Sequence, residues 1–461
     1  MRRFFYAALL VAAVLSASPS KPHGSSVHEI GSSRRSLIPG KVAPPHSSRA
    51  APTFGSSVHL LDPLRYPAAD PEYAGQPLPD DEPAVVIASD GTVWVAALHL
   101  HHGTALWRGR FGVTPPRFVG QPDGGRGGDD VALAVSLPPT TLAPANLYVA
   151  TLSHTHLIGT TACPGGPTSA SFSLCTVYPS LAPSGRDRPW LAAYGRSTVY
   201  LAYGGPTVAV RRSLDGGKTW GAAADPVAGL EGGGTSSLAG TLVADRRTAA
   251  LYLPYDDGLR LYSTSSHDGG RTWRSSVVAV MAPGQGDAYF WPVMAVDAAG
   301  TVYASWSTGA HVVLSFSRDS GVSWSTPISV DAGTAGAPRN NVLPWIAAGA
   351  AGHVALAWYS ATTANGASPQ AAWRVAFAES RDSGATFAHA FATDVVHHGP
   401  VCAHGDGCSY TDRQLLDLLG LALDPVSGRA AIVYARSTAF GGYLACRAAA
   451  NCPQVYYVEE R

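Results

Sequence analysis

The stretch Ser213-Leu214-Asp215-Gly216-Gly217-Lys218-Thr219-Trp220 recurs in the same pattern at Ser266 to Trp273, Ser317 to Trp324 and Ser380 to Phe387. Spaced self-similarity of this kind marks a repeat architecture. Within each copy the chemistry is that of a tight hairpin corner. Asp215, Asp268, Asp319 and Asp382 are placed to fold their carboxylates onto nearby backbone N–H groups. Gly217, Gly270, Gly321 and Gly384 supply the positive φ that such a turn needs. Trp220, Trp273, Trp324 and Phe387 close each copy and are expected to bury against the layer beneath.

Outward from these corners the chain alternates apolar β-runs with Gly and Asp turns. The clearest unit runs Pro292-Val293-Met294-Ala295-Val296-Asp297, then a turn, then Thr301-Val302-Tyr303-Ala304-Ser305-Trp306. Related units start at Pro83, Pro189 and Pro344, at one or two multiples of about 50 residues. Weaker units fall in the gaps at Val131 to Leu152 and Ser237 to Tyr255, and a last one runs from Leu418 to Tyr434. Each unit offers two inner strands, a third that leads into the corner, and a fourth. The fold expected is therefore all-β, a β-propeller of four-stranded antiparallel blades, with seven blades and six as the alternative. Units three to six carry the corners. Leu106-Trp107-Arg108 reads as a decayed remnant in the first, and the seventh ends one strand short at Gln454 to Val458. A strand near Val58 to Leu61 would complete it and remove an exposed edge.

The four corners resemble the Asp-box, or BNR repeat, of sialidases and related β-propellers, and the resemblance covers about residues 82 to 461. It implies that the boxes are structural and lie away from any catalytic centre. Function in a propeller gathers on the loops of the channel face. Asp129, Asp130, Asp187, Arg188, Tyr289, Arg339, Asn340, Asn341, Asp412, Arg413 and Asp417 map there. A sialidase needs three arginines on the substrate carboxylate, a tyrosine nucleophile and an aspartate acid/base. The resemblance assigns these to Arg188, Arg339 and Arg413, to Tyr289 or Tyr410, and to Asp187 or Asp130. The Arg-Ile-Pro string of that family is absent, and Arg188-Pro189 is an Arg-Pro pair without the middle residue. Sialidases are six-bladed, whereas the spacing here gives seven.

Two functions follow. The first is a secreted sialidase-like exo-glycosidase acting on sialic acid or related glycans. The alternative is a noncatalytic extracellular propeller that binds glycan or protein through its channel face. In the bland reading of the same residues, Arg188 pairs with Asp187, and Arg413 with Asp412 and Asp417, simply to pin the blades. Tyr289, Phe290, Tyr359 and Tyr410 break the aromatic register and are candidates to stack on sugar. By contrast Tyr203, Tyr255, Trp306, Trp358 and Tyr434 recur at one repeat position, which reads as core packing.

The remaining composition narrows the setting. Acids and bases balance to a formal net charge of +0, which argues against nucleic acid as a partner. Arg2 and Arg3, the apolar run Phe4 to Leu15 and Ser16-Ala17-Ser18 read as a signal peptide over residues 1–18. Residues 19–80 are rich in Ser, Pro and Gly and read as a linker or arm, followed by a single propeller domain over 81–461. No later apolar run reaches the length of a membrane span. The six cysteines fall as Cys163/Cys175, Cys402/Cys408 and Cys446/Cys452. Of the 15 pairings open to them, loop closure favours these three local bridges in an oxidising compartment. His99, His101, His102, His154 and His156 gather near Asp129 and Asp130, with His397, His398 and His404 on a further loop. Imidazole with carboxylate would suit zinc or another divalent ion, but the spacing matches no defined ligand motif; no metal site is assigned and no cofactor is expected. The expected partner is a glycan or glycoconjugate, and the expected state a monomer.

Overall fold

The computed structural model describes residues 50–65, 68, 80–99, 102–136, 145–153, 155–166, 175–178, 186–205, 207–230, 239–281, 292–333, 340–403, 408, 415–437 and 453–461. Seven antiparallel sheets follow one another along the chain, six built by strands in sequential order and the last completed by a strand from the N-terminal side. Blade 1 is Asp80–Ile87, Thr92–His99, Thr104–Arg110 and Thr114–Gly120. Blade 2 is Val131–Val135, Leu147–Leu152, Ile158–Cys163 and Thr176–Tyr178. Blade 3 has Asp187–Tyr194, Thr198–Gly204 and Ala209–Ser213, with a Val210–Ala224 bridge in place of a fourth strand. Blade 4 is Val243–Ala244, Leu251–Asp256, Arg260–Ser266 and Arg274–Val280. Blade 5 is Val293–Val296, Val302–Ser307, Val312–Ser317 and Ile328–Ser329. Blade 6 is Asn341–Ala348, Val354–Ala361, Ala372–Ser380 and Ala388–Phe391. Blade 7 is Gly420–Leu423, Ala430–Arg436 and Gln454–Glu459, and its fourth strand is Val58–His59 from the other end of the chain. The protein is a seven-bladed β-propeller.

The strand expected near Val58 to Leu61 closes the last blade. Residues 54–60 run along the last blade: Phe54 bridges Glu460, and Val58 and His59 pair with Tyr457 and Tyr456. His59 stacks on the Tyr456 ring at 4.9 Å, and Leu60 is buried in the core shared by blades 1 and 7.

The second strand of each blade is enclosed on both sides. Every residue of Thr92–His99 and of Val354–Ala361 is buried. Alanines there let neighbouring blades approach closely, and Ala96, Ala202, Ala304 and Ala357 expose nothing. The repeating aromatics Tyr203, Tyr255, Trp306, Trp358 and Tyr434 are buried in the same layers.

The four corners form as their sequence dictates, at the ends of the third strands of blades 3 to 6. Ser213 Oγ donates to Asp215 Oδ1 at 2.8 Å and accepts from the Gly217 amide at 2.8 Å. The Thr219 amide and hydroxyl donate to the two Asp215 oxygens at 2.9 and 2.7 Å. The same set recurs with Ser266, Asp268 and Thr272, with Ser317, Asp319 and Ser323, and with Ser380, Asp382 and Thr386. Trp220, Trp273, Trp324 and Phe387 end half-buried, because each corner leans on the blade before it. Trp324 Nε1, for example, donates to Ser276 Oγ of blade 4 at 3.1 Å.

Leu106-Trp107-Arg108 is not a degenerate corner. It lies inside the third strand of blade 1, where Trp107 is fully buried and donates from Nε1 to the Leu61 carbonyl at 3.0 Å. Blade 2 replaces the corner by a covalent link. Cys163 pairs with Leu147 in the register that sets Ser213 opposite Val199 and Ser317 opposite Val302, and it is bonded to Cys175. Cys402 is bonded to Cys408, while Cys446 and Cys452 lie outside the described residues.

Two outcomes test the corners. Gly321 has φ +83° and an added Cβ would stand 3.3 Å from Tyr252 Cε1, so Gly321→Ala should cost about 1–3 kcal/mol in urea unfolding. Ser320 beside it already holds φ 62°, and Ser320→Gly should be near neutral, since relief of strain offsets the added chain entropy. The hydroxyl bonds from Thr219 and Ser323 hold Asp215 and Asp319 down at about 2, and that from Thr272 lowers Asp268 as well. Depressed acids stabilise above their unfolded pKa and lose that contribution as pH falls through the folded one. Replacing all three by Asn should therefore lower stability at pH 6 and flatten the stability profile between pH 4 and 2, read by chemical denaturation.

Candidate functional site

All first strands begin on one face of the ring, here the upper face. In blades 1, 3 and 6 that strand opens with the same irregularity, a register shift at Asp81/Ala84, Asp187/Trp190 and Val342/Trp345. The residue before the proline takes a left-handed conformation each time: Glu82 at φ 45°, Arg188 at 50° and Leu343 at 55°. Leu416, ahead of Asp417, holds 43°. Non-glycine residues adopt this region at a cost, and bulges re-aim side chains. Here the bulges turn Glu82 and Arg188 toward each other at the centre of the face.

Arg188 is the hub. Its Nη1 lies 2.8 Å from Asp130 Oδ1 and 3.0 Å from Glu82 Oε2, and its Nη2 lies 3.0 Å from Asp417 Oδ2. Its amide donates to Asp187 Oδ1 at 2.8 Å and to Asp130 Oδ2 at 3.2 Å. The Asp417 amide donates to Glu82 Oε1 at 3.1 Å, closing the network. One guanidinium thus ties blades 7, 1, 2 and 3. The pairing runs across blades and not, as neighbour spacing suggests, from the Arg188 side chain to Asp187. Arg186 turns away and lies over the Tyr203 ring at 5.7 Å.

The network is buried and predominantly acidic. Asp81, Glu82, Asp130, Arg188 and Asp417 are all buried, with Asp129 and Asp187 half-buried beside them. Burial raises Asp81 and Asp130, and burial with the fields of Glu82 and Asp187 pushes Asp129 up to about 6. Burial works against the charge on Arg188, but Asp130, Glu82 and Asp417 together outweigh it and keep the guanidinium protonated.

Below this layer the axis is filled. Trp190 and Trp345 meet with ring centroids 5.9 Å apart, Trp190 Nε1 donates to the Ala239 carbonyl, and Leu418 joins the same cluster. Blades 3, 4, 6 and 7 are thereby packed against one another.

Of the residues expected at this face, Asp129, Asp130, Asp187, Arg188 and Asp417 come together. Asn341 does not join them, being engaged with Ala310, Asp331 and Trp358. Tyr359 is no sugar platform, since it is fully buried with its hydroxyl on the Ala435 backbone. Tyr289, Phe290, Arg339, Tyr410, Asp412 and Arg413 lie outside the described residues, as do His101, His154 and His404. Among the described histidines, His156 bears on Asp129, whereas His397 is buried against the Ser437 carbonyl. Asp256 and Asp257 form a turn by accepting from the Gly258, Leu259 and Arg260 amides. Sequence reading missed Asp81 and Glu82. The signal was available, because Glu82-Pro83 occupies the repeat position of Arg188-Pro189.

Two cavities lie away from this face, beside the corners. One of about 370 Å³ lies between Phe316 and Ile328 of blade 5 and the Asp382 to Phe387 corner of blade 6. Another, of about 480 Å³, lies between Arg211 of blade 3 and Gly269 to Arg271 of blade 4. Both are grooves left where a corner leans on the preceding blade.

Removing Arg188 alone leaves three buried carboxylates facing one another. Arg188→Ala should cost about 3–5 kcal/mol at pH 7, and less at pH 5, where the carboxylates take up protons. The wild-type native state holds a proton on Asp129 that the unfolded chain releases near pH 4. Stability from this cluster should accordingly fall as pH rises from about 4 to 6, measured by urea titration.

No protein-family model matches the sequence, and neither does any curated protein. Among solved structures, the BP39L lectin from Burkholderia pseudomallei aligns at a TM-score of 0.51 and 9% identity, over 79% of this chain and 94% of that one. A protein of unknown function from Dyadobacter fermentans aligns at 0.45 and 14% identity, over 85% and 97%. The NanB sialidase from Streptococcus pneumoniae aligns at 0.40 and 12% identity, over 86% and 70%. At 9% identity the likeness to the BP39L lectin is one of fold: the chain is a seven-bladed β-propeller.

Proposed function

We propose that this protein is a secreted, noncatalytic Asp-box propeller that binds uncharged glycan through its upper face. The observation that carries the reading is the commitment of Arg188. A sialidase spends its arginines on the carboxylate of the substrate. Here both terminal nitrogens of Arg188 are within 3.0 Å of protein carboxylates. A ligand carboxylate would have to displace Glu82, Asp130 or Asp417, and would meet the field of Asp81, Asp129 and Asp187 as it approached. Such a face disfavours acidic sugars and accepts neutral ones.

Two bridged cysteine pairs support export to an oxidising compartment, and no helix among the described residues is long and apolar enough to cross a membrane. The signal-like segment at residues 1–18 points the same way.

The purified protein should leave a fluorogenic sialoside intact across pH 4 to 8, and should retain neutral oligosaccharides over their sialylated counterparts on a glycan array. Turnover of the sialoside that is lost in Arg413→Ala would overturn the reading in favour of the sialidase mechanism.

A further inference from the structure

We propose that Asp62, Asp80 and His99 form a site for one divalent cation of the zinc type, which clamps the ring-closing N-terminal segment to blade 1. The three side chains offer donor atoms that all lie within 4.8 Å of one another. They come from three separate pieces of chain. Asp62 follows the closing strand Val58–His59, Asp80 opens the first strand of blade 1, and His99 ends the second. The site is enclosed: the His99 side chain exposes nothing, Asp80 2% and Asp62 9%.

The imidazole stands between the two carboxylates. Its Nδ1 lies 2.6 Å from Asp80 Oδ1 in an ion-pair contact. Nε2 faces Asp62 Oδ1 at 3.7 Å. That separation is too long for a hydrogen bond. It is close to the roughly 3.4 Å between two donors that each stand about 2.0–2.1 Å from one tetrahedral zinc ion. One imidazole nitrogen and two carboxylate oxygens are the donor types of a histidine–carboxylate metal site. Mixed nitrogen and oxygen donors suit zinc or a related borderline ion better than calcium or magnesium, which favour oxygen alone.

Position gives the ion its role. Asp62 is already held over blade 1, since the Leu61 carbonyl accepts from Trp107 Nε1 and the Leu64 amide donates to Asp62 Oδ1 at 2.6 Å. A cation there would lock the seam between the first and last blades, where the closing strand Val58–His59 is two residues long.

The test uses the full-length secreted protein, stripped with chelator and dialysed. Zinc chloride titrated by calorimetry should bind at one equivalent per chain, and should raise the melting temperature by several degrees. Asp62→Asn and His99→Gln should each lose that equivalent and the shift, with circular dichroism reporting that the sheet is retained. His156→Gln, which leaves the three residues in place, should bind as wild type. Absence of stoichiometric binding by the folded wild type, or unchanged binding in folded Asp62→Asn, would overturn the site and leave a plain Asp80–His99 ion pair. Should the variants fail to fold, the chelator-dependent melting shift of the wild type decides alone.

Discussion

A single buried guanidinium organises the centre of this propeller. Arg188 reaches carboxylates from blades 1, 2 and 7 while standing on blade 3. Burying such a charge is costly unless every partner is in place, so the network specifies the relative positions of four blades. The left-handed backbone at Glu82 and Arg188 follows from it. Strain at the two bulges is tolerated because it brings these side chains into contact. A residue used in this way is unavailable to a ligand, and the functional reading follows from that fact.

The periphery is held by a different device, repeated locally. In blades 3 to 6 a serine, an aspartate and a glycine close each outer corner by hydrogen bonds within one short turn. In blade 2 the Cys163–Cys175 bond stands at that corner. Centre and rim also respond oppositely to acid. The corner carboxylates are held below their usual range by hydroxyl and amide donors, whereas the central ones are raised by burial. The corner contribution should therefore fall below about pH 4, and the central contribution should fall as pH rises above it.

Much of this was legible in the sequence, and the physical reason divides the two parts. The corners are local: all their partners lie within eight consecutive residues, so composition and spacing reveal them. The Pro-led strands are periodic, which exposes the blade count. Arg188 could be placed on the upper face but not paired, because Glu82 and Asp417 are distant in sequence and meet it only through ring closure. The closing strand near Val58 was legible, but Asp62 just after it was not, because its neighbours Asp80 and His99 meet it only once the ring closes. Tyr359 misled because breaking the aromatic register suggests exposure, whereas its hydroxyl is bonded within the core to blade 7.

The account stands on Arg188 being a structural tie rather than a ligand clamp, and a double-mutant cycle measures that directly. Arg188→Met, Glu82→Gln and their combination, extended to Asp417→Asn, should be compared by urea unfolding at pH 7. The account predicts coupling energies of about 1–3 kcal/mol for each pair, with the fully neutralised variant recovering most of the stability lost by Arg188→Met alone. Additive losses, with no recovery on removing the carboxylates, would contradict it.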